Sequence, residues 1–473
     1  MRIEQLYTKC LAQGAYYLSH KGEAALIDPL REVETYAALL KEDEAELKYV
    51  FETHFHADFV SGHLDISNKT GAEVVFGPGA QTQFPVHIAS DGERFTIGDW
   101  TVQLLHTPGH TLESSCYLLL DPEEKPHALF TGDTLFLGDV GRPDLAQKMD
   151  GLSMEDLAGM SYDSLRNKIM PLPDELILYP AHGAGSACGK NMMNVTVDTL
   201  GNQRKVNYAL RADMSKAEFI EEVTSGLLPP PAYFPENVRL NKEGSQALEK
   251  VMAAAYRPMG TQDIQQLMTH GDALLLDVRS PDEFGDGHIP GSLFIGLDGS
   301  FAPWVGELIR DVHRSIVLIA PQGREKEAIT RLARVGFDHI LGFLEGGMAS
   351  WMQAGLPCQK IRSVQAEELA RSDREGKTLV VDVRKNGEYT SEHMRDAVNV
   401  PLSELEQRMN ELPKDRPFYL HCAAGYRSMI AASILSAAGV SDFNNVLGGY
   451  KAMQETDIER EGSVCTNSIQ RKV

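Results

Sequence analysis

The sequence predicts an α/β protein of three successive domains, and three observations lead there. A length of 473 residues suggests about three domains at ~150 residues each. In the first half, short apolar runs with strand character end repeatedly on histidine or aspartate, at His54, His110, Asp133 and His182. In the second half one strand-like run occurs twice, Leu274-Leu275-Leu276-Asp277-Val278-Arg279 and Leu379-Val380-Val381-Asp382-Val383-Arg384. The repeat unit is too long for a solenoid, so it reads as two copies of one small domain.

The first half carries metal chemistry. Residues 47–51 read as a buried strand leading into Thr53-His54-Phe55-His56-Ala57-Asp58-Phe59. Histidine offers a neutral ring nitrogen, carboxylate an oxygen, and a strand end aims both into a cleft. Thr107-Pro108-Gly109-His110-Thr111 is a tight turn presenting His110. Leu129-Phe130-Thr131-Gly132-Asp133 is a strand ending in Gly-Asp, and Tyr179-Pro180-Ala181-His182 a further apolar strand ending in His. Each piece alone is weak. All four together, each after a strand pattern, point to a site. Phe59 bounds it, because a phenyl ring cannot ligate a metal.

In this order the pieces resemble the metallo-β-lactamase superfamily over residues 1 to about 255. The resemblance implies a metallo-β-lactamase αββα sandwich. Hydrolytic members usually carry another histidine where this chain has Phe59, so one metal is expected rather than two. Gly138-Asp139-Val140-Gly141-Arg142-Pro143-Asp144 narrows the resemblance to the persulfide dioxygenases. That implies one Fe(II) per chain, held by His54, His110 and Asp133. Two histidines and one carboxylate leave positions open for O2 and substrate sulfur, whereas zinc is redox-silent. His56, Asp58 and His182 match second-metal positions of the hydrolases and are expected here to orient the ligands and tune the iron. Arg142 reads either as an anchor for the anionic part of a thiol persulfide or as a structural ion pair. Cys188, in a glycine-rich loop after His182, reads as a substrate contact or redox-sensitive thiol, against a plain loop cysteine.

Residues 205–258 link the halves. Leu228-Pro229-Pro230-Pro231-Ala232 predicts a stiff extended stretch there, with flanking helical segments packed on the first domain.

The repeat then alternates parallel-type apolar strands with helical patterns at 328–335 and 428–438, which predicts open α/β sheets. Glu283-Phe284 and His288 recur as Glu388-Tyr389 and His393, and Leu344-Glu345-Gly346-Gly347-Met348 parallels Val446-Leu447-Gly448-Gly449-Tyr450. Asp-Val-Arg, then Glu-aromatic, then His, resembles the rhodanese family. In the second copy a strand-like run leads into Cys422-Ala423-Ala424-Gly425-Tyr426-Arg427-Ser428. Rhodaneses keep a catalytic cysteine at the start of such a loop and often an arginine at its end. Inward backbone N–H groups above a helix N-terminus stabilise a thiolate and then a persulfide. The resemblance thus implies Cys422 as nucleophile and sulfur carrier, with Arg427 beside it. The first copy has Ala320 and Glu325 at these positions and reads as an inactive scaffold. The expected boundaries are 1–258 for the metal domain, 259–360 for the inactive rhodanese-like domain and 361–473 for the active one. Asp382 and Arg384 are expected to be structural, and Tyr16, Tyr17 and Trp351 to lie in cores.

The whole chain resembles the CstB-type persulfide dioxygenase–sulfurtransferases. That implies low-molecular-weight thiol persulfides, O2, sulfite and thiosulfate as small-molecule partners in sulfide detoxification, and a homo-oligomer. A glyoxalase-II-like thioester hydrolase with an accessory rhodanese, and a non-catalytic sulfur carrier or sensor, are the competing readings. Composition fits. A net charge of −22 argues against nucleic acid and anionic membrane as partners. No signal-like N-terminal pattern or membrane-length apolar run is present, so a cytoplasmic enzyme is expected. The six cysteines lack paired spacing, as in a reducing compartment. Cys10, Cys116, Cys358 and Cys465 read as ordinary thiols.

Overall fold

Alternation of burial along the strands builds the first half. Strands such as Gln13–His20, Glu23–Ile27 and Glu46–Phe51 are buried on both faces and need a covering layer on each. The computed structural model, which describes residues 1–145, 151–227, 229–373, 378–413 and 416–462, shows how each layer is supplied. Arg2–Thr8, Gln13–His20, Glu23–Ile27, Glu46–Phe51, Glu73–Phe76 and His87–Ile88 form one mixed six-stranded sheet in chain order. Arg94–Ile97, Trp100–His106, Ser115–Leu120, Pro126–Gly132, Ile177–Pro180 and Asp198–Thr199 form the second. Side chains two residues apart share a face, and the core divides accordingly. Tyr16, Phe51 and Val75 meet Val102, Tyr117 and Phe130 between the sheets. Tyr17, Leu26, Val50 and Val74 face outward onto Tyr36, Leu39 and Ile66 of the helices Val33–Glu42 and His63–Thr70. Leu118, Leu129 and Leu178 face outward onto Ala158 of helix Met154–Ser164, onto Leu165 just after it and onto Phe219. The result is the expected αββα sandwich.

The strand expected at 47–51 is Glu46–Phe51. The helical segments around the proline stretch do pack on the first domain: Phe219 and Val223 of Lys216–Thr224 enter its core, and Asn237 and Asn241 of Phe234–Glu243 are buried.

The chain divides into two compact units, Met1–Met252 with Ile309–Val312 and Thr330–Asp338, and Ala253–Leu308 with His313–Ile329 and His339–Val473. The second unit holds most of the repeat. Its two five-stranded sheets have the same strand order. In one, Pro258–Met259, Ile340–Leu344, Ile316–Ile319, Leu274–Asp277 and Leu293–Phe294 lie side by side; in the other, Ser363–Val364, Phe443–Val446, Phe418–His421, Val380–Asp382 and Val398–Asn399. Every pairing within them is parallel. The predicted helices appear as Glu325–Ala333 and Tyr426–Ala437. Trp351, Tyr16 and Tyr17 are core residues. Cys10, Cys116, Cys188, Cys358 and Cys422 are free thiols, and Cys465 lies outside the described residues. Among the described residues no helix is long and apolar enough to cross a membrane.

Candidate metal centre and sulfur-carrier loop

The four motif pieces follow strands Glu46–Phe51, Trp100–His106, Pro126–Gly132 and Ile177–Pro180, drawn from both sheets. His54, His110 and Asp133 converge, with one ligand atom from each within 4.8 Å of the others. Asp133 Oδ2 lies 3.3 Å from His110 Nε2 and 3.8 Å from His54 Nε2.

Hydrogen bonds fix which nitrogens face inward. His110 Nδ1 is 2.8 Å from the carbonyl of Arg142, which can only accept, so Nδ1 carries the proton and Nε2 the lone pair. Thr53 Oγ1 gives its proton to Asp28 Oδ2 at 2.8 Å and therefore accepts from His54 Nδ1 at 2.9 Å. His54 Nε2 is thus also a lone pair. Burial, reinforced by the neighbouring His56 charge, pushes the His54 pKa well down and keeps it neutral. Asp133 Oδ1 accepts His182 Nδ1 at 2.8 Å, while Oδ2 is buried and accepts no hydrogen bond. Burial opposes the Asp133 charge, but the charge and hydrogen bond of His182 hold the carboxylate ionised, below its usual range. Two imidazole nitrogens and one orphaned carboxylate oxygen fit a divalent metal.

The expected supporting residues divide by role. His182 donates Nδ1–H to Asp133 and Nε2–H to Asp58 Oδ2, both at 2.8 Å. Burial disfavours its charge, yet the two carboxylates raise its pKa well above the ordinary value. Donating from both nitrogens, His182 orients the two carboxylates, and with Asp58 and Cys188 it forms a second group whose ligand atoms lie within 4.8 Å of one another. His56 turns away from the triad. Its Nε2 lies 3.1 Å from Asp28 Oδ1 and 3.4 Å from Glu52 Oε2, and its ring stacks on Phe59 with centroids 4.2 Å apart. Against burial, these two carboxylates raise His56 to about 10. Phe59 is itself fully buried, filling the space expected of a further ligand.

Arg142 makes an ion pair with Asp144, Nε and Nη2 meeting its carboxylate at 2.6 and 2.7 Å, and Nη1 reaches Ala187 O at 3.2 Å. Its backbone serves the site directly, through its carbonyl on His110 and its N–H on Cys188 O at 3.0 Å. Cys188 is brought to the centre, its sulfur within 4.8 Å of ligand atoms of Asp58 and His182. Burial first, then the Asp133 and Asp58 charges, push its pKa well up, so it stands there as a thiol.

Sequence reasoning missed three supports. Asp28 holds Thr53 through N–H at 2.7 Å and Oγ1 at 2.8 Å; a carboxylate ending the apolar run at 24–27 was the available signal. Asn241 clamps the metal loop, donating Nδ2–H to the carbonyls of His56 and Phe59 and accepting Ser61 N–H, all at 2.8 Å. Glu113 accepts Phe55 N–H at 3.0 Å. Nothing local marks Asn241 or Glu113.

In the second unit, strand Phe418–His421 delivers Cys422 to a loop that closes on helix Tyr426–Ala437. Gly425, at φ 101°, turns its N–H onto Cys422 Sγ at 3.1 Å. Tyr450 N–H and Lys451 N–H hold the carbonyls of Cys422 and Ala423 at 2.7 and 3.0 Å. Arg427 sits at the loop end, its fork on Glu388 at 2.6 and 2.8 Å. The sulfur therefore faces one backbone donor at the N-terminus of a helix, with Arg427 at the loop end. In the first copy Ala320 is buried at the cysteine position and Glu325 accepts the N–H of Gly323 at 3.1 Å.

A metal-binding αββα sandwich followed by two rhodanese-like sheets is what these observations define. The Metallo-beta-lactamase superfamily description matches residues 9–182, and the Rhodanese-like domain description matches 261–354 and 365–456. The chain belongs to the metallo-beta-lactamase superfamily and carries two rhodanese-like domains after that fold. It is similar to the mitochondrial persulfide dioxygenase ETHE1 of Homo sapiens, at 32% identity over 212 residues, 44% of this chain and 74% of that protein. It is also similar to a probable hydroxyacylglutathione hydrolase (glo2) of Schizosaccharomyces pombe, at 35% identity over 162 residues, 33% of this chain. The match spans 58% of that hydrolase and 59% of a second one from the same organism. Among solved structures, a metallo-beta-lactamase from Staphylococcus aureus subsp. aureus COL is 30% identical with a TM-score of 0.64, covering 73% of this chain and 98% of that one.

Proposed function

We propose that the chain is a persulfide dioxygenase and sulfurtransferase: residues 1–258 oxidise low-molecular-weight thiol persulfides, 361–473 carry sulfur on Cys422, and 259–360 are catalytically inert. One observation carries the first activity. His54 and His110 present neutral nitrogens beside the orphaned Asp133 oxygen, while His56 and Phe59 supply no further ligand. His54, His110 and Asp133 would hold one Fe(II), which when bound supplies O2 activation and open positions for substrate sulfur. The protein's own groups do the rest. Thr53 and the Arg142 carbonyl fix the two imidazole tautomers. His182 and Asp58 fix the Asp133 carboxylate. The Cys188 thiol lines the centre as a neutral contact for a sulfur substrate. The balance is RSSH + O2 + H2O → RSH + sulfite + 2 H+.

At the second site the Cys422 thiol attacks the outer sulfur of a second RSSH, breaking its S–S bond and releasing RSH and a proton, and the Gly425 N–H holds the resulting persulfide anion. Arg427, set by Glu388, is the cation for the incoming anionic donor. Transfer of that sulfur to sulfite regenerates the thiol and releases thiosulfate.

The hydroxyacylglutathione hydrolase relatives support a second reading, thioester hydrolysis. Metal analysis of anaerobically purified protein, with an oxygen electrode, separates the two. We expect one iron per chain and O2 uptake that requires glutathione persulfide. His54→Ala and Asp133→Ala should lose most of the iron and all of the uptake. Two zinc ions per chain with hydrolysis of S-lactoylglutathione, and no persulfide-dependent uptake, would sink the proposal.

A further inference from the structure

The inactive copy reaches the active loop. Tyr426, between Gly425 and Arg427, seats its ring against residues 296–299 of the first copy, within the second compact unit. Its hydroxyl donates to the carbonyl of Gly296 at 2.7 Å. A Cβ on Gly299 would lie 2.6 Å from Cε2 and Cζ of that ring, and one on Gly296 would lie 3.4 Å from Cε2. Phe294 stands edge-on to the ring with centroids 6.2 Å apart, and its N–H donates to Ser433 Oγ at 3.0 Å on the helix that Tyr426 begins. The silent loop holds the same segment from its own side. Arg324, which occupies the position of Tyr426 in the first copy, forks onto Asp298 with two contacts of 2.8 Å. Residues 296–299 are therefore gripped by both loops.

We propose that the inactive copy is the positioning half of the sulfurtransferase site: its 296–299 socket fixes Tyr426, and through Tyr426 the Gly425 N–H and the Arg427 guanidinium that serve Cys422. Tyr426 is a positioning residue. It does not touch the sulfur, but it is covalently next to both groups that do the holding, and a shift of its ring displaces them. Selection of glycine at 299 follows from the ring it faces, since no left-handed backbone angle requires glycine there. This inference rests on Cys422 being the sulfur carrier proposed above.

The test uses the full-length chain with Tyr426→Phe, Gly299→Ala, Tyr426→Ala and the Gly299→Ala/Tyr426→Ala double variant. Two readouts are needed: sulfur transfer from thiosulfate to cyanide, and the pH profile of iodoacetamide alkylation at Cys422, followed by peptide mass. Gly299→Ala should lower transfer by about tenfold to a hundredfold, the scale of an ångström-level misplacement, and move the alkylation profile to higher pH. Tyr426→Phe, which deletes one oxygen, should move both readouts the same way by less. In the Tyr426→Ala background Gly299→Ala should cost nothing further, because the clashing ring is gone. Wild-type transfer and alkylation in both Gly299→Ala and Tyr426→Phe would overturn the socket. So would a transfer loss in Gly299→Ala with an unmoved alkylation profile, or additive losses in the double variant. If wild type transferred no sulfur while the alkylation profiles shifted as stated, the carrier role of Cys422 would fall and the socket would stand.

Discussion

In the first rhodanese-like copy Arg279 Nη2 bonds Asp277 at 2.6 Å and the carbonyl of Gly287 at 2.9 Å; in the second, Arg384 Nη2 bonds Asp382 at 2.6 Å and the carbonyl of Glu392 at 2.9 Å. His288 stacks on Phe284 at 4.0 Å as His393 stacks on Tyr389 at 3.7 Å. These shared residues tie the helices Pro281–Asp286 and Asn386–Ser391 to the strands Leu274–Asp277 and Val380–Asp382 that precede them. The copies part at the loop. Cys422, Tyr426 and Arg427 face Ala320, Arg324 and Glu325. The glycine pair behind the loop also behaves differently. A Cβ at Gly449 would lie 2.4 Å from the carbonyl of Cys422, whereas one at Gly347 would stand 3.9 Å from that of Ala320. The difference teaches that the Asp-Val-Arg signature reports the fold, and that chemistry is reported by the loop and by what presses on it.

That separation can be broken or sharpened by substitution. The largest effect on stability is expected at the shared pair. Asp382→Asn and Asp277→Asn each leave a buried guanidinium without its charge partner and should cost about 3–5 kcal/mol, equally in the two copies. Urea unfolding measures this, and a cost confined to the active copy would make Asp382 part of the site instead. Next comes the glycine pair. Gly449 and Gly347 share left-handed φ angles of 56° and 59°, so alanine at either pays the same backbone strain. Only Gly449→Ala also collides with the active loop, and it should lose sulfur transfer far beyond its stability loss, while Gly347→Ala keeps transfer near wild type. The smallest gain is expected from repair of the silent copy, made in a Cys422→Ser background. Ala320→Cys alone should transfer little sulfur, because Glu325 places negative charge at the loop mouth. Adding Glu325→Arg should help more than additively. Wild-type activity from Ala320→Cys alone would show that the charge at the loop end is unimportant.

The fold was legible because the strand-ending His and Asp motifs come in an order that resembles a known superfamily and its αββα sandwich, and the Asp-Val-Arg repeat marked two equal domains. The candidate metal ligands were legible because each follows an apolar strand. The Arg142 ion pair was weighed from sequence, but which of its groups serves the site was not readable. Its contribution is a backbone carbonyl on His110, and any residue type supplies one. Asn241 clamps the metal loop from a helix far along the chain, and Tyr426 meets Gly299 across two domains. Such long-range fits leave no periodic trace. His56 looked like the ligand pattern of a two-metal site, and its rotation toward Asp28 and Glu52 depends on two carboxylates that only the fold brings beneath it.

The most direct measurement follows the products of glutathione persulfide oxidation under O2 in wild type and Cys422→Ser side by side. Both proteins should take up O2 at comparable rates, since His54, His110 and Asp133 lie outside the rhodanese-like sheets. Wild type should yield thiosulfate, and Cys422→Ser should yield sulfite in its place, because a hydroxyl cannot form a persulfide. An unchanged thiosulfate yield in Cys422→Ser, or no persulfide-dependent O2 uptake in either protein, would contradict the division of labour between His54, His110 and Asp133 on one side and Cys422 on the other.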